Sequence, residues 1–417
     1  MAQLAENLND ASILLDGYKK LDPANKKDFE TYYVKRPVMT SSLIREAKAA
    51  SINNRPFHWF FTGHTGAGKS TELNRIVANE TLKENYVPLL INISDDFDIH
   101  NIDYKDIILA MAKACALKAE QTQCSISKKI RAHILHWGHE VIEEKEVKTL
   151  TEGKAGIGVS LPFIKLGEEI KSGGSKREII RNKIFEDISE FIKLLDDLTD
   201  SLAKKTKKRP LCIIDGLDHV DYKPCISLFN DYYVTLTKPK ISKLIVIPLA
   251  MLNNNQFASN TAGNYSTVPN IKVYQGPKTR ELDSEGFEFF KNVIARYAKL
   301  ELFSEGTLKS LFELSAGIIR DMIRFTGDAC GYGDDDGSEK LEMSHVQKVW
   351  DTEIQRFRRI LQKAEYKILE NIEQTPNPMG LDGIPTLLHL KAVLFYPNGE
   401  GWYGIHPAIR RIIEKSD

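Results

Sequence analysis

Gly63-His64-Thr65-Gly66-Ala67-Gly68-Lys69-Ser70-Thr71 follows the apolar run His58-Trp59-Phe60-Phe61 and leads into a helix-compatible stretch from Glu72 to Asn79. A buried strand, a glycine-rich turn and a helix, in that order, suit a nucleoside triphosphate. Glycines let backbone N–H groups converge on phosphate oxygens, Lys69 reaches the β and γ phosphates, and the Ser70 hydroxyl ligates magnesium. Every residue from Gly63 to Thr71 is therefore a candidate nucleotide contact. Such a string arises by chance in on the order of one per cent of chains of this size, so it reads as a working loop.

Working outward, 417 residues are enough for two or three packed domains. Lys plus Arg and Asp plus Glu both number 57, so no net field draws the chain to nucleic acid or an anionic membrane. Cys115, Cys124, Cys212, Cys225 and Cys330 form no C-x-x-C pair, which argues against a zinc site or a disulfide framework. The longest apolar run, Leu244 to Leu252, is too short to cross a bilayer. No secretory leader is evident at the amino terminus, and a soluble cytoplasmic protein is expected.

The pattern predicts an α/β protein, a parallel sheet covered by helices, followed by a helical lid and a winged-helix-like domain. Strands are expected near 57–62, 87–93, 210–214, 243–249 and 271–275. The expected boundaries are a helical extension over 1–55, a nucleotide-binding core over 56–276, a lid over 277–338 and a tail domain over 339–417. About 145 residues separate Lys69 from Asp215, more than two βα units need, which places an insert near 120–205. Its Gly153–Gly167 stretch reads as an insert or hairpin, followed by one long helix from Lys176 to Lys204. In the lid, Ser284–Leu300 and Ser304–Thr326 read as two amphipathic helices. Gly331–Ser338 has the composition of a linker, and Ser344 with Gln347 suits a capping box. A helix is expected over Ile354–Glu373 and a shorter one near Pro385–His389. Pro397-Asn398-Gly399, between Ala392–Tyr396 and Trp402–Gly404, signals a hairpin.

Leu211-Cys212-Ile213-Ile214-Asp215 is an apolar strand ending in a carboxylate, suited to hold magnesium together with Ser70. Three residues on, Asp218 is either the acceptor that orients the attacking water or an Asp capping a turn. Ile214-Asp215-Gly216-Leu217-Asp218 resembles the acidic motif of the STAND class of P-loop ATPases, its NACHT-like branch in particular. Where that branch has Glu after the second Asp this chain has His219, so slow or partner-stimulated hydrolysis is the expectation. Ser315-Ala316-Gly317-Ile318-Ile319-Arg320-Asp321 is similar to the lid motif of AAA+ and STAND proteins, which implies that Arg320 senses the γ-phosphate. The other reading pairs Arg320 with Asp321 or Glu313. His406, in Trp402-Tyr403-Gly404-Ile405-His406-Pro407, resembles the winged-helix histidine that touches the ADP β-phosphate, although Pro407 stands where Asp normally follows. A buried histidine capping a core helix is the equal alternative.

No Asn-Lys-x-Asp string for guanine is present, and Ser315-Ala316-Gly317 comes after the acidic strand, unlike the ABC signature. ATP/ADP with Mg2+ is the expected ligand set, with Tyr33 to Arg36 a candidate near the adenine. The resemblance implies an ATP-hydrolysing switch that assembles with copies of itself and with a separate effector or sensor protein, anti-phage defence being one setting. The alternative is an AAA+ initiator-like or transposition-type ATPase acting on nucleic acid, for which Lys204-Lys205-Thr206-Lys207-Lys208-Arg209 is the most basic run. The other reading of that run is a solvated loop.

Overall fold

Four of the five expected strands form where the apolar runs place them. The computed structural model describes residues 4–16, 21–36, 40–138, 158–376, 383–397 and 401–414. β1 (His58–Thr62), β2 (Tyr86–Asn92), β3 (Arg209–Asp215), β4 (Ser242–Val246) and β5 (Tyr265–Thr267) make one sheet in the order β2-β3-β4-β1-β5. The β2–β3, β3–β4 and β4–β1 pairings are all parallel. Leu211, Cys212, Ile213 and Ile214 are each at most 1% exposed, as expected of a strand covered on both faces. The expected α/β architecture is what the chain adopts.

The chain divides into two compact units. One comprises 40–62 and 76–266, and the other 1–39, 63–75 and 267–417. In the first, the helices Tyr104–Gln121 and Ile188–Thr206 bury Ile107, Met111 and Cys115 together with Leu194, Leu198 and Leu202 in the same core as the sheet. The insert adds helices Lys128–Gly138, Leu161–Ser172 and Gly174–Glu186. Its expected single helix over 176–204 is two, interrupted at Asp187 (φ −115°, ψ 30°). Of the Gly153–Gly167 stretch, residues up to 157 lie outside the described residues, and Gly167 sits inside a helix. The basic run closes the Ile188–Thr206 helix, where lysines complement the carbonyl end. Lys207 there is left-handed, Lys208 donates to the Lys83 carbonyl and Arg209 to the Asn54 amide oxygen.

In the second unit, 271–275 does not form the fifth strand, which is 265–267 instead. Ile271 N–H donates to the Gly317 carbonyl and Tyr274 bridges to Leu282, so this extended segment pairs with the lid rather than the sheet. The lid is three helices, Ser284–Ile294, Thr307–Leu314 and Ile319–Asp335. The expected Ser304–Thr326 helix breaks because Ala316 and Gly317 adopt positive φ. Gly331–Ser338 is no linker, since the Ile319–Asp335 helix runs through most of it. Gly327, Gly331 and Gly333 turn toward Leu15, Ser12 and Leu8 of the Leu8–Asp16 helix, whose close approach uses the missing side chains of Gly327 and Gly333. The next helix, Met343–Ile360, starts from a capping box of Glu342 and His345 rather than Ser344 and Gln347. It ends before Leu361, so the expected Ile354–Glu373 helix is also two, the second being Lys363–Gln374. The tail closes with the Ile384–His389 helix, the hairpin β6 (Val393–Tyr396) and β7 (Trp402–Ile405), and the Pro407–Glu414 helix.

Candidate nucleotide site

Six residues of turn, 63–68, enter the helix Lys69–Val77. Gly66 and Gly68 have φ of +91° and +86°, which L side chains rarely adopt, and this curls the backbone into a concavity. A Cβ at Gly66 would lie 2.9 Å from Arg320 Cβ, and one at Gly68 would lie 3.0 Å from an Arg36 guanidinium nitrogen. Conformation favours glycine at both positions, and at Gly66 space does so as well. Lys69 is 5% exposed, and its ammonium donates to the Gly63 and His64 carbonyls, each at 2.9 Å. Ser70 stands in the first turn of the helix, and the N-terminal end of a helix favours an anion. This backbone cradle, with an ammonium and a hydroxyl, fits a polyphosphate, and the Ser70 hydroxyl is a hard oxygen donor of the kind that suits magnesium.

The loop is held from three sides of its own unit. From the lid, Arg320 N–H donates to the Gly66 carbonyl at 3.1 Å. Arg320 is the second residue of the Ile319–Asp335 helix; Asp321 pairs with Lys391 and Arg324, and Glu313 accepts from the Tyr274 hydroxyl. From the tail, Phe395 N–H of β6 donates to Nε2 of His64 at 2.9 Å. From the amino-terminal segment, Arg36 reaches Glu72 and donates to the Pro269 carbonyl, while the Tyr33 hydroxyl donates to Glu72. Glu72 is 1% exposed and also pairs with Arg75. Burial lowers the Arg36 pKa and raises that of Tyr33 to about 12, with Glu72 opposing the first shift and reinforcing the second.

Beside the loop a cleft opens, lined by Tyr32, Val34, Phe289, Tyr297, Ile319 and Ile323 together with the loop's own Gly66, Gly68 and Thr71. Its walls are mainly apolar and aromatic, the chemistry that receives a planar base. The sequence pointed to Tyr33–Arg36, and Tyr33, Val34 and Arg36 do line this cleft. The sequence missed Glu72, which organises that segment. A carboxylate in the first turn of a helix has the local signature of an ordinary N-terminal acid, and only burial distinguishes it.

In the other unit, Asp215 ends β3 in register with Asn92 of β2. One oxygen of Asp215 accepts the Gly216 N–H at 3.0 Å. Asp218 is 7% exposed in the short turn Leu217–His219. Asn92 was not singled out from sequence; its amide oxygen lies 2.9 Å from where a Gly216 Cβ would stand, so glycine keeps that side of the turn open.

His406 is 1% exposed in the tail core. Its Nδ1 accepts the Ala408 N–H at 3.2 Å, capping the Pro407–Glu414 helix, and its ring lies 4.8 Å from that of Phe357. Burial, then Arg356 and Lys391, push its pKa well down, so it stays neutral. These contacts are those of a core cap, and the histidine through which the tail meets the loop is His64.

No family model matches the chain, and no curated protein matches it. Solved structures match it at low identity and low TM-score. They include an origin recognition complex (ORC) of Drosophila bound to DNA (11% identity, TM-score 0.39, covering 99% of this chain and 92% of that one). A Walker-type ATPase of Pyrococcus abyssi is 14% identical (TM-score 0.43; 96% and 99% covered). The ORC2 protein of Aeropyrum pernix, solved as ADPNP and ADP complexes, is 12% identical (TM-score 0.40; 92% and 96% covered). The functional reading accordingly rests on this chain's own residues.

Proposed function

We propose that this protein binds ATP with Mg2+ and hydrolyses it slowly, using the cycle to change the fit between phosphate loop, lid and tail. The observation that carries this reading is the glycine cradle with Lys69, gripped by Arg320 from the lid and by the hairpin through His64. In it, the loop N–H groups and Lys69 bind the β and γ phosphates, and Ser70 and Asp215 hold the metal, which neutralises charge on the phosphates. Asp218 accepts a proton from the attacking water, Arg320 senses the γ-phosphate, and the Tyr32–Ile323 cleft takes the base. A nucleotide shifts such an equilibrium only through its differential affinity for two states. Assembly with further copies and with a separate sensor or effector protein belongs to the same reading.

The first test is to denature freshly purified protein and identify the released nucleotide by chromatography, in parallel with Lys69→Ala. Stoichiometric adenine nucleotide from the wild type and none from the variant is expected. Equal nucleotide affinity in the two proteins would remove the site from the loop.

A second reading, action on nucleic acid, draws on one feature of the tail. Arg358, Arg359, Lys363 and Lys367 are all exposed around the turn between Met343–Ile360 and Lys363–Gln374. Duplex binding that weakens steeply with salt, and is lost when these four are changed to Glu, would favour it.

A further inference from the structure

We propose that His64 is a clamp through which the tail hairpin and the nucleotide control each other, so that opening of the hairpin and release of nucleotide are coupled. The proposal rests on the nucleotide reading above and names the regulation of that site.

His64 belongs to two hydrogen-bond systems at once. Its carbonyl accepts from the Lys69 ammonium at 2.9 Å, and its ring Nε2 accepts from Phe395 N–H of β6, also at 2.9 Å. His64 is 3% exposed, so its Nε2 would be left buried and unmatched if the Phe395 N–H withdrew. Phosphate oxygens compete for the same ammonium that holds the His64 carbonyl. Phosphate binding thus reorganises the peptide whose side chain holds the tail.

The hairpin is also fixed to the lid motif. The Tyr396 hydroxyl donates to the Ala316 carbonyl at 3.1 Å, and Leu394 and Tyr396 pack with Ala316 and Ile318 in one apolar cluster covered by Trp402. Lys391, just before β6, pairs with Asp321 at 2.8 Å. The circuit closes through Arg320 N–H and the Gly66 carbonyl. Loop, lid motif and hairpin therefore form a ring of three contacts in which moving one member strains the other two. By linkage, whatever nucleotide does to hairpin docking, docking does equally to nucleotide affinity.

The test compares wild type, His64→Ala and His64→Gln, the Gln amide oxygen being able to replace Nε2 as acceptor. Hydrogen exchange at 393–396 and the dissociation rate of a fluorescent ADP are the two readouts. In His64→Ala both should rise, by about tenfold, and His64→Gln should return both toward wild type. Unchanged exchange in His64→Ala overturns the clamp, and faster exchange with unchanged ADP release overturns the coupling. If the wild type binds no nucleotide, the nucleotide reading and the coupling fail together, while exchange still reports on the clamp. Should His64→Ala not fold, Tyr396→Phe removes only the hydroxyl bond to Ala316 and tests the ring from the lid side, with the same readouts and the same expected direction.

Discussion

Glu72 gathers three partners around one buried carboxylate, and what it does there is set by desolvation. Arg36 is nearly as buried, so removing Glu72 strands a guanidinium in a site that already disfavours its charge. Glu72→Ala is expected to destabilise the protein by about 3–5 kcal/mol, measured by urea unfolding. A loss under about 1 kcal/mol would mean the guanidinium finds water instead. Asp218 calls for a different experiment, because its expected role is in the reaction. Asp218→Asn should leave ATP affinity intact and slow hydrolysis by about a hundredfold or more in single-turnover assays. Wild-type turnover in that variant would leave Asp218 as a turn residue.

Among the elements, the docking of Leu8–Asp16 on Ile319–Asp335 shows glycine chosen for space. At Gly327 an added Cβ would stand 3.0 Å from Leu15 Cβ and 3.3 Å from the Leu15 carbonyl carbon, with backbone that cannot step aside. At Gly331 the nearest atom, Ser12 Cβ, is an ordinary 3.9 Å away. The two positions should therefore respond with opposite sign. Gly331→Ala is expected to stabilise by up to about 1 kcal/mol through helix propensity. Gly327→Leu should cost about 1–3 kcal/mol and expose the first helix to protease. Thermal melts and limited proteolysis of the two variants check this, and a shift of the same sign in both would refute the packing argument. The lid motif follows the same logic, since a Cβ on Gly317 would overlap the Ile271 carbonyl oxygen at 1.8 Å.

For the molecule as a whole, two buried histidines, His64 and His406, and the half-buried His58 tie stability to pH. Burial, then Lys243, lowers His58 from 6.5 to about 3; burial, then Lys69 and Lys391, does the same to His64, and His406 is driven down mainly by burial. Below pH 6.5 the unfolded chain takes up protons that the folded chain refuses. Stability is therefore complete above about 6.5 and declines as pH falls toward 3, by roughly 1.4 kcal/mol per histidine per pH unit. Urea midpoints at pH 7.5 and 5.5 should differ in that direction, and His64→Gln should flatten the slope. A pH-independent midpoint would show that these rings take up protons in the fold. Among the described residues no helix is long and apolar enough to cross a membrane.

Much of the phosphate loop, four strands of the sheet and the hairpin could be read directly from the chain, because each depends on local backbone chemistry. Glycine at positive φ, an apolar run of strand length and Asn-Gly between two such runs need no distant partner. Asp215 was legible for the same reason, as the polar end of a buried strand. What stayed hidden depends on long-range packing. The 271–275 segment has strand composition but pairs with Gly317, and Gly331–Ser338 has linker composition but is mostly helix, with Leu8 of the first helix packed on Gly333. By sequence, His64 is one loop residue among nine candidate nucleotide contacts, and His406 resembles a histidine that touches the ADP β-phosphate. Only the tertiary structure decides that His406 caps a core helix while His64 meets the hairpin 331 residues away, because a hydrogen bond between distant segments leaves no trace in either one's local pattern.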